Sequence, residues 1–164
     1  MRKSVLPGIL TGANVVGYAL IPQRGRLYYD GQFATGDSRM AKDHSTGFLD
    51  LVNAAKQRVR ECTCSDVRQW QTEGREFQLV DVREESEWAQ ARLPGAISLG
   101  KGVIERDVER VIPDHAVEIV LYCGGGFRSA LAGDALQQMG YTNVVSMDGG
   151  ISGWHALGFP LVAD

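Results

Sequence analysis

From residue 46 onward, apolar residues recur with a period that switches between helix and strand. Phe48, Leu51, Val52, Ala55 and Val59 return at three- and four-residue intervals after Ser45 and Thr46, both good N-cap types, so the pattern predicts a helix over 46–60. Thr63 followed three residues later by Asp66 has the form of a capping box; it opens a second helix carrying Val67 and Trp70 and stopping at Gly74. Phe77 to Val82 reads as a buried strand. Glu84, Glu85 and Glu87 then crowd the start of a helix, where acidic side chains suit the dipole, with Trp88 as its expected core anchor. After Pro94-Gly95, a short strand at Ala96–Leu99 precedes a helix lined by Ile104, Val108, Val111 and Ile112 and halted by Pro113. Val117–Tyr122 is the next strand. An apolar stripe of Leu131, Ala132, Ala135, Leu136 and Met139 ends at Gly140, and Asn143–Met147 supplies a further strand.

Strands alternating with helices over roughly 100 residues imply a parallel sheet covered on both faces, and in such sheets ligands sit beyond the carboxyl ends of the strands. Cys123 falls at one of those ends. It follows the apolar run Ile119-Val120-Leu121-Tyr122 and leads Gly124-Gly125-Gly126-Phe127-Arg128-Ser129 into a helix expected to begin near Ser129. A cysteine there lies among backbone N–H groups at the positive end of a helix dipole, a setting that favours the thiolate. The glycines let the chain curl its amides around the sulfur.

Charge and cysteine content narrow the options. The net charge is −3, with no basic stripe in the body of the chain, which argues against nucleic-acid binding. Residues 1–43 hold six basic residues against three acidic ones, so a basic leader precedes an acidic domain. That leader, residues 1–45, reads as extended or disordered, with no helical or strand periodicity over 22–46; Pro7, Gly8, Gly12, Asn14 and Gly17 interrupt its apolar stretch, which leaves a weak outline of a secretory signal and rules against a membrane span, and a start at Met40 is the alternative reading. No stable membrane association is expected. Cys62, Cys64 and Cys123 match neither a disulfide framework nor a zinc site, which points to a reducing, cytoplasmic compartment and no metal. Cys62 and Cys64 read as small residues at a strand-to-helix junction.

From Thr63 to Pro160 the chain resembles a single rhodanese domain. The landmarks occur in order: Asp81-Val82-Arg83, Pro94-Gly95-Ala96, Cys123-Gly124-Gly125-Gly126-Phe127-Arg128-Ser129, Met139-Gly140-Tyr141, and Asp148-Gly149-Gly150-Ile151-Ser152-Gly153-Trp154. The resemblance implies a rhodanese-like α/β fold over 61–164, with a five-stranded parallel sheet and helices on both faces. The helix at 46–60 and the leader are additions to it. It also implies sulfur transfer through a persulfide on Cys123, from thiosulfate or a persulfide donor to a thiol, cyanide or protein acceptor, with no metal or organic cofactor.

Within that reading the amides of Gly124 through Ser129 stabilise the anionic sulfur, and Ser129 acts as a helix cap or as a hydroxyl donor to it. Arg128 either attracts an anionic donor or, the favoured role, ties the loop to a carboxylate such as Asp81. Asp81 and Arg83 are scaffold candidates. Where the family usually shows Gly-His, this chain has Ala91-Arg92, and Arg92 is a candidate charge near the mouth. Three alternatives share parts of the pattern. A noncatalytic carrier or binding module uses the same fold, though commonly without the cysteine. Thiolate phosphatases and arsenate reductases resemble Cys-x5-Arg, whereas the spacing here is Cys-x4-Arg. A dinucleotide site would use Gly124, Gly126 and Ser129 as a degenerate glycine fingerprint with Asp148 as the ribose-binding acid.

Overall fold

The structure, a computed structural model, describes residues 44–163. Apart from His44 and Ser45, the leader lies outside the described residues. In chain order the elements are α1 (Thr46–Lys56), β1 (Arg60–Cys62), α2 (Cys64–Glu73), β2 (Gln78–Asp81), α3 (Glu85–Gln90), β3 (Ile97–Ser98), α4 (Ile104–Val111), β4 (Ile119–Tyr122), α5 (Phe127–Gln138), β5 (Val144–Met147) and α6 (Gly150–Ala156).

All five strands pair in parallel, in the order β1-β5-β4-β2-β3, which makes β4 the central strand. Alternation along the strands sorts their side chains into two cores. Val80, Ile119, Leu121 and Val144 pack with Ile104 and Val108 of α4 and Ala132 and Leu136 of α5. Leu79, Val120, Tyr122, Val145 and Met147 pack on the other face with Val67 of α2 and Trp154 of α6. Helix α1 joins the first layer against α5: Val59, in the turn after α1, reaches the Cβ-free flank of Gly133.

Local chemistry explains most boundaries. Thr63 and Asp66 close the reciprocal capping box at the start of α2, with 2.8 Å and 3.1 Å hydrogen bonds, and Gly74 ends that helix at φ +71°. Several elements depart from the sequence pattern. The first helix stops at Lys56, four residues short of the expected end, because Arg60 to Cys62 pair with β5 as a three-residue edge strand too short to show alternation. The segment after Gly149 is helical although Gly150 and Gly153 are weak helix formers.

Helical phase accounts for two apolar residues that stay outside. Leu51 is 58% exposed beside the buried Val52–Ala55 face, and Val111 is 46% exposed because Ile104, Val108 and Ile112 take the inward positions at four-residue steps. Trp88 is not a core anchor either. It is half-buried on the six-residue α3, with the Arg92 guanidinium stacked 4.7 Å from its ring centre.

Candidate active site

Cys123 follows directly on the central strand, and the three glycines turn the chain into α5. The helix starts at Phe127, two residues earlier than its composition suggests, because Gly126 at φ +98° takes the N-cap position in a conformation other residues avoid. A Cβ there would also meet Asp148 Oδ1 at 3.1 Å and Gly149 N at 3.3 Å. Free of that Cβ, Gly126 aims its N–H at Cys123 Sγ across 3.2 Å. Ser129, in the first turn of α5 rather than at its cap, directs its hydroxyl at the same sulfur across 3.7 Å. The twelve-residue α5 thus points its N-terminus at the thiol, where a negative charge is favoured.

The loop is held from outside by its carbonyls. Ile151 N–H donates to the Cys123 carbonyl at 2.8 Å and Ser152 N–H to the Gly124 carbonyl at 3.0 Å, so the first turn of α6 fastens both residues. The close approach requires Gly150, whose φ is +54°: a Cβ would overlap the Cys123 carbonyl oxygen and lie 2.7 Å from the Gly124 carbonyl.

Arg128 makes a two-pronged ion pair with Glu87 of α3, at 2.6 Å and 2.9 Å, and not with Asp81. Asp81 is taken by its near neighbour Arg83, which donates to it from the backbone at 2.9 Å and from the guanidinium at 2.6 to 3.0 Å, and also reaches the Ala91 carbonyl. The hydrogen bonds from Arg128 hold the Glu87 carboxyl down to about 2, well below its ordinary value of 4.5. A folded-state pKa below the unfolded one stabilises the fold above pH 4.5, and that contribution fades as pH falls toward 2. Glu87→Gln is therefore expected to flatten the loss of stability between pH 5 and pH 3, read as the difference in urea midpoint at the two pH values. An undiminished acid loss in the variant would show that the pair is energetically silent.

The remaining candidates fall around this centre. Helix α1 brings His44 and Phe48 against the Phe127 ring, at 5.1 Å and 6.1 Å between centres, and its Lys56 bridges Asp148 at 3.0 Å and Glu61 at 2.7 Å. Sequence patterning signalled none of these contacts to the loop. A cleft of 220 Å³ between α3 and α6 is lined by Arg83, Glu87, Gln90, Ser152 and His155 among others, and by no residue of the cysteine loop. Arg92 stacks on Trp88 and pairs its backbone with Val162. Cys62 and Cys64 end β1 and open α2; burial pushes the Cys62 thiol up to about 12 and the Cys64 thiol upward as well, which makes both poor nucleophiles. Among the described residues no helix is long and apolar enough to cross a membrane.

A glycine-rich loop at the end of the central strand, closed around a cysteine by two helix N-termini, defines a class. Residues 63–157 match the rhodanese-like domain, and the chain belongs to that family. It is 33% identical over 105 residues to a sulfurtransferase of Allochromatium vinosum, an alignment covering 64% of this chain and 96% of that protein. A thiosulfate sulfurtransferase from Pseudomonas aeruginosa superposes with a TM-score of 0.60 at 33% identity, over 65% of this chain and 20% of that one. A protein of unknown function from Rhodopseudomonas palustris, described as a possible tyrosine phosphatase, superposes with a TM-score of 0.66 at 26% identity, over 74% and 98% of the two chains. The family and its sulfurtransferase relatives support a sulfurtransferase-type enzyme.

Proposed function

We propose that the protein moves sulfane sulfur from a small-molecule donor to a thiol acceptor through a persulfide on Cys123. The observation that carries this reading is the convergence of the Gly126 N–H and the Ser129 hydroxyl on Cys123 Sγ at the N-terminus of α5. In the first half-reaction the thiolate attacks the sulfane sulfur and the donor's remaining group departs with the bonding pair, as sulfite from thiosulfate or as a thiolate from a persulfide. The product, Cys123–S–S⁻, keeps one negative charge, which the loop amides from Gly124 to Ser129 stabilise. An acceptor thiolate, cyanide or a protein cysteine then attacks the terminal sulfur and restores the Cys123 thiolate, giving a ping-pong cycle. The chain's own residues supply each step, and the free thiols suit a reducing compartment such as the cytoplasm.

Charge at the loop favours a persulfide over thiosulfate as donor. Gly124 and Gly125 carry no basic group, and the one loop cation, Arg128, is neutralised by Glu87. A dianion gains little there. The test is intact mass after exposure to glutathione persulfide or to thiosulfate, with peptide mapping to locate the added sulfur. One sulfur on Cys123, acquired faster from the persulfide, is expected. Faster loading from thiosulfate overturns the donor preference, and no loading from either overturns the sulfur-transfer reading.

The Rhodopseudomonas palustris relative keeps a thiolate phosphatase as the second reading. Against it stand the Cys-x4-Arg spacing and an Arg128 already committed to a carboxylate rather than free for a phosphoryl group. Hydrolysis of an aryl phosphate that disappears in Cys123→Ser would reverse the order.

A further inference from the structure

Strand β5 carries one polar side chain in an otherwise apolar sequence, Val144-Val145-Ser146-Met147, and all four residues are buried. Ser146 pairs in register with Leu121 of β4 and shares the α5-facing side of the sheet with Val144. It has no exposure at all. A hydroxyl in such surroundings is destabilising unless it finds a partner. Its partner is Ser129, equally buried, at 2.8 Å between the two oxygens, and Ser129 in turn faces Cys123 Sγ.

Resting on the reading of Cys123 as a nucleophile, we infer that Ser146 is a positioning residue that orients the Ser129 hydroxyl toward the sulfur. The chain of donors runs one way. A thiolate or a persulfide anion only accepts, so Ser129 must spend its single hydrogen on the sulfur, and its lone pair is then free for the hydrogen of Ser146. The Gly126 amide needs no such help, since the backbone fixes its direction. A serine in the first turns of a helix, by contrast, can rotate its hydroxyl back to a carbonyl three or four residues earlier. Ser146 opposes that rotation by occupying the acceptor side of Ser129, and the donated bond polarises the hydroxyl it meets.

The readout is the pH dependence of Cys123 alkylation by iodoacetamide, a small reagent suited to a cysteine only 1% exposed, followed by peptide mass on the full chain. The other charged or titrating groups on the elements packed about the loop are Arg128 on α5, Glu87 on α3, Asp148 after β5, Lys56 on α1, the Asp81–Arg83 pair at the end of β2, Tyr122 on β4 and Cys64 on α2. None of them is altered by substitution at Ser146. Ser146→Ala is expected to raise the midpoint of the alkylation profile by about half a unit and to slow alkylation about threefold below it, as loss of one oriented donor predicts. Ser146→Thr keeps the hydroxyl and is expected to retain the wild-type midpoint. In a Ser129→Ala background the further change Ser146→Ala is expected to add nothing, because its effect passes through Ser129.

A Ser146→Ala profile that superimposes on wild type overturns the inference, as does a shift that persists when Ser129 is already alanine. Should the alanine variant not fold, Ser146→Cys, close in size but a much weaker donor, takes its place with the peptide map separating the two thiols: a raised Cys123 midpoint supports the inference and a wild-type midpoint overturns it. Alkylation reports the thiolate whether or not sulfur is accepted, so a wild-type protein that takes no sulfur would sink the proposed function and leave this test standing.

Discussion

Cys123→Ser is expected to lower sulfur transfer by roughly three orders of magnitude or more, to the uncatalysed background, while the protein stays folded. The reasoning is chemical. Serine keeps the size and one hydrogen-bonding atom of the side chain, so the Gly126 and Ser129 contacts survive in outline, but its hydroxyl is not ionised near neutral pH and forms no persulfide. Neither remaining cysteine can substitute: Cys62 and Cys64 are buried at the β1–α2 junction with thiols held in the neutral form. The measurement is a single turnover with glutathione persulfide, followed by intact mass, beside a thermal melt of the same preparation. A serine variant that still acquires one sulfur would place the chemistry on another residue, and an unfolded variant would show that the thiol is needed for packing as well.

Asp81→Ala is expected to have the largest effect on stability. Asp81 is fully buried and Arg83 nearly so, and five hydrogen bonds link the pair to one another and to Ala91. Beside them, Tyr122 accepts the Leu93 N–H at 3.1 Å and its phenol, pushed up by burial, stays neutral. Removing the carboxylate strands a guanidinium in this interior, and breaking a buried pair from one side is destabilising by about 3–5 kcal/mol. For a domain of this size that corresponds to a melting temperature lower by roughly 10 °C or more. Arg83→Met, which leaves Asp81 without its main partner, is expected to be nearly as severe. A thermal and urea unfolding series decides the matter, and a change below about 1 kcal/mol in both variants would mean that water replaces the lost partner. The same series separates scaffold from chemistry: at a temperature where the Asp81 variant remains folded, its rate per folded molecule should lie near that of wild type.

The parts of the site that could be read in the chain are the short-range ones. An apolar strand, a cysteine, three glycines and a helix-forming run occupy twenty consecutive residues, and the geometry they demand follows from φ angles and dipoles that act over one turn. The capping box at Thr63 and the stop at Gly74 were legible for the same reason. Partner choice was not. Arg128 has Asp81 and several glutamates within plausible reach, and its pairing with Glu87, 41 residues earlier, depends on where the short helix α3 lies across the sheet. Glu87 at the start of that helix had a sufficient local explanation as a dipole partner, which hid its second contact. The strand-to-helix junction at Cys62 and Cys64 was legible, but the start of the edge strand β1 was not, because three residues show no period, and the helix α6 was hidden because glycines at 150 and 153 weaken the helical signal.

By itself the chain determined an alternating α/β layout and the placement of a nucleophile at a strand end, since both follow from periodicity and from the conformational freedom of glycine. Only the tertiary structure decided what surrounds that nucleophile. The order β1-β5-β4-β2-β3 is not the order of the chain, and it sets β5 beside β4. That neighbourhood brings Ser146 to Ser129, Asp148 behind Gly126 and α6 onto the loop carbonyls. Such contacts join residues separated by up to several elements, and their energies depend on burial and distance, which no local pattern of residues encodes.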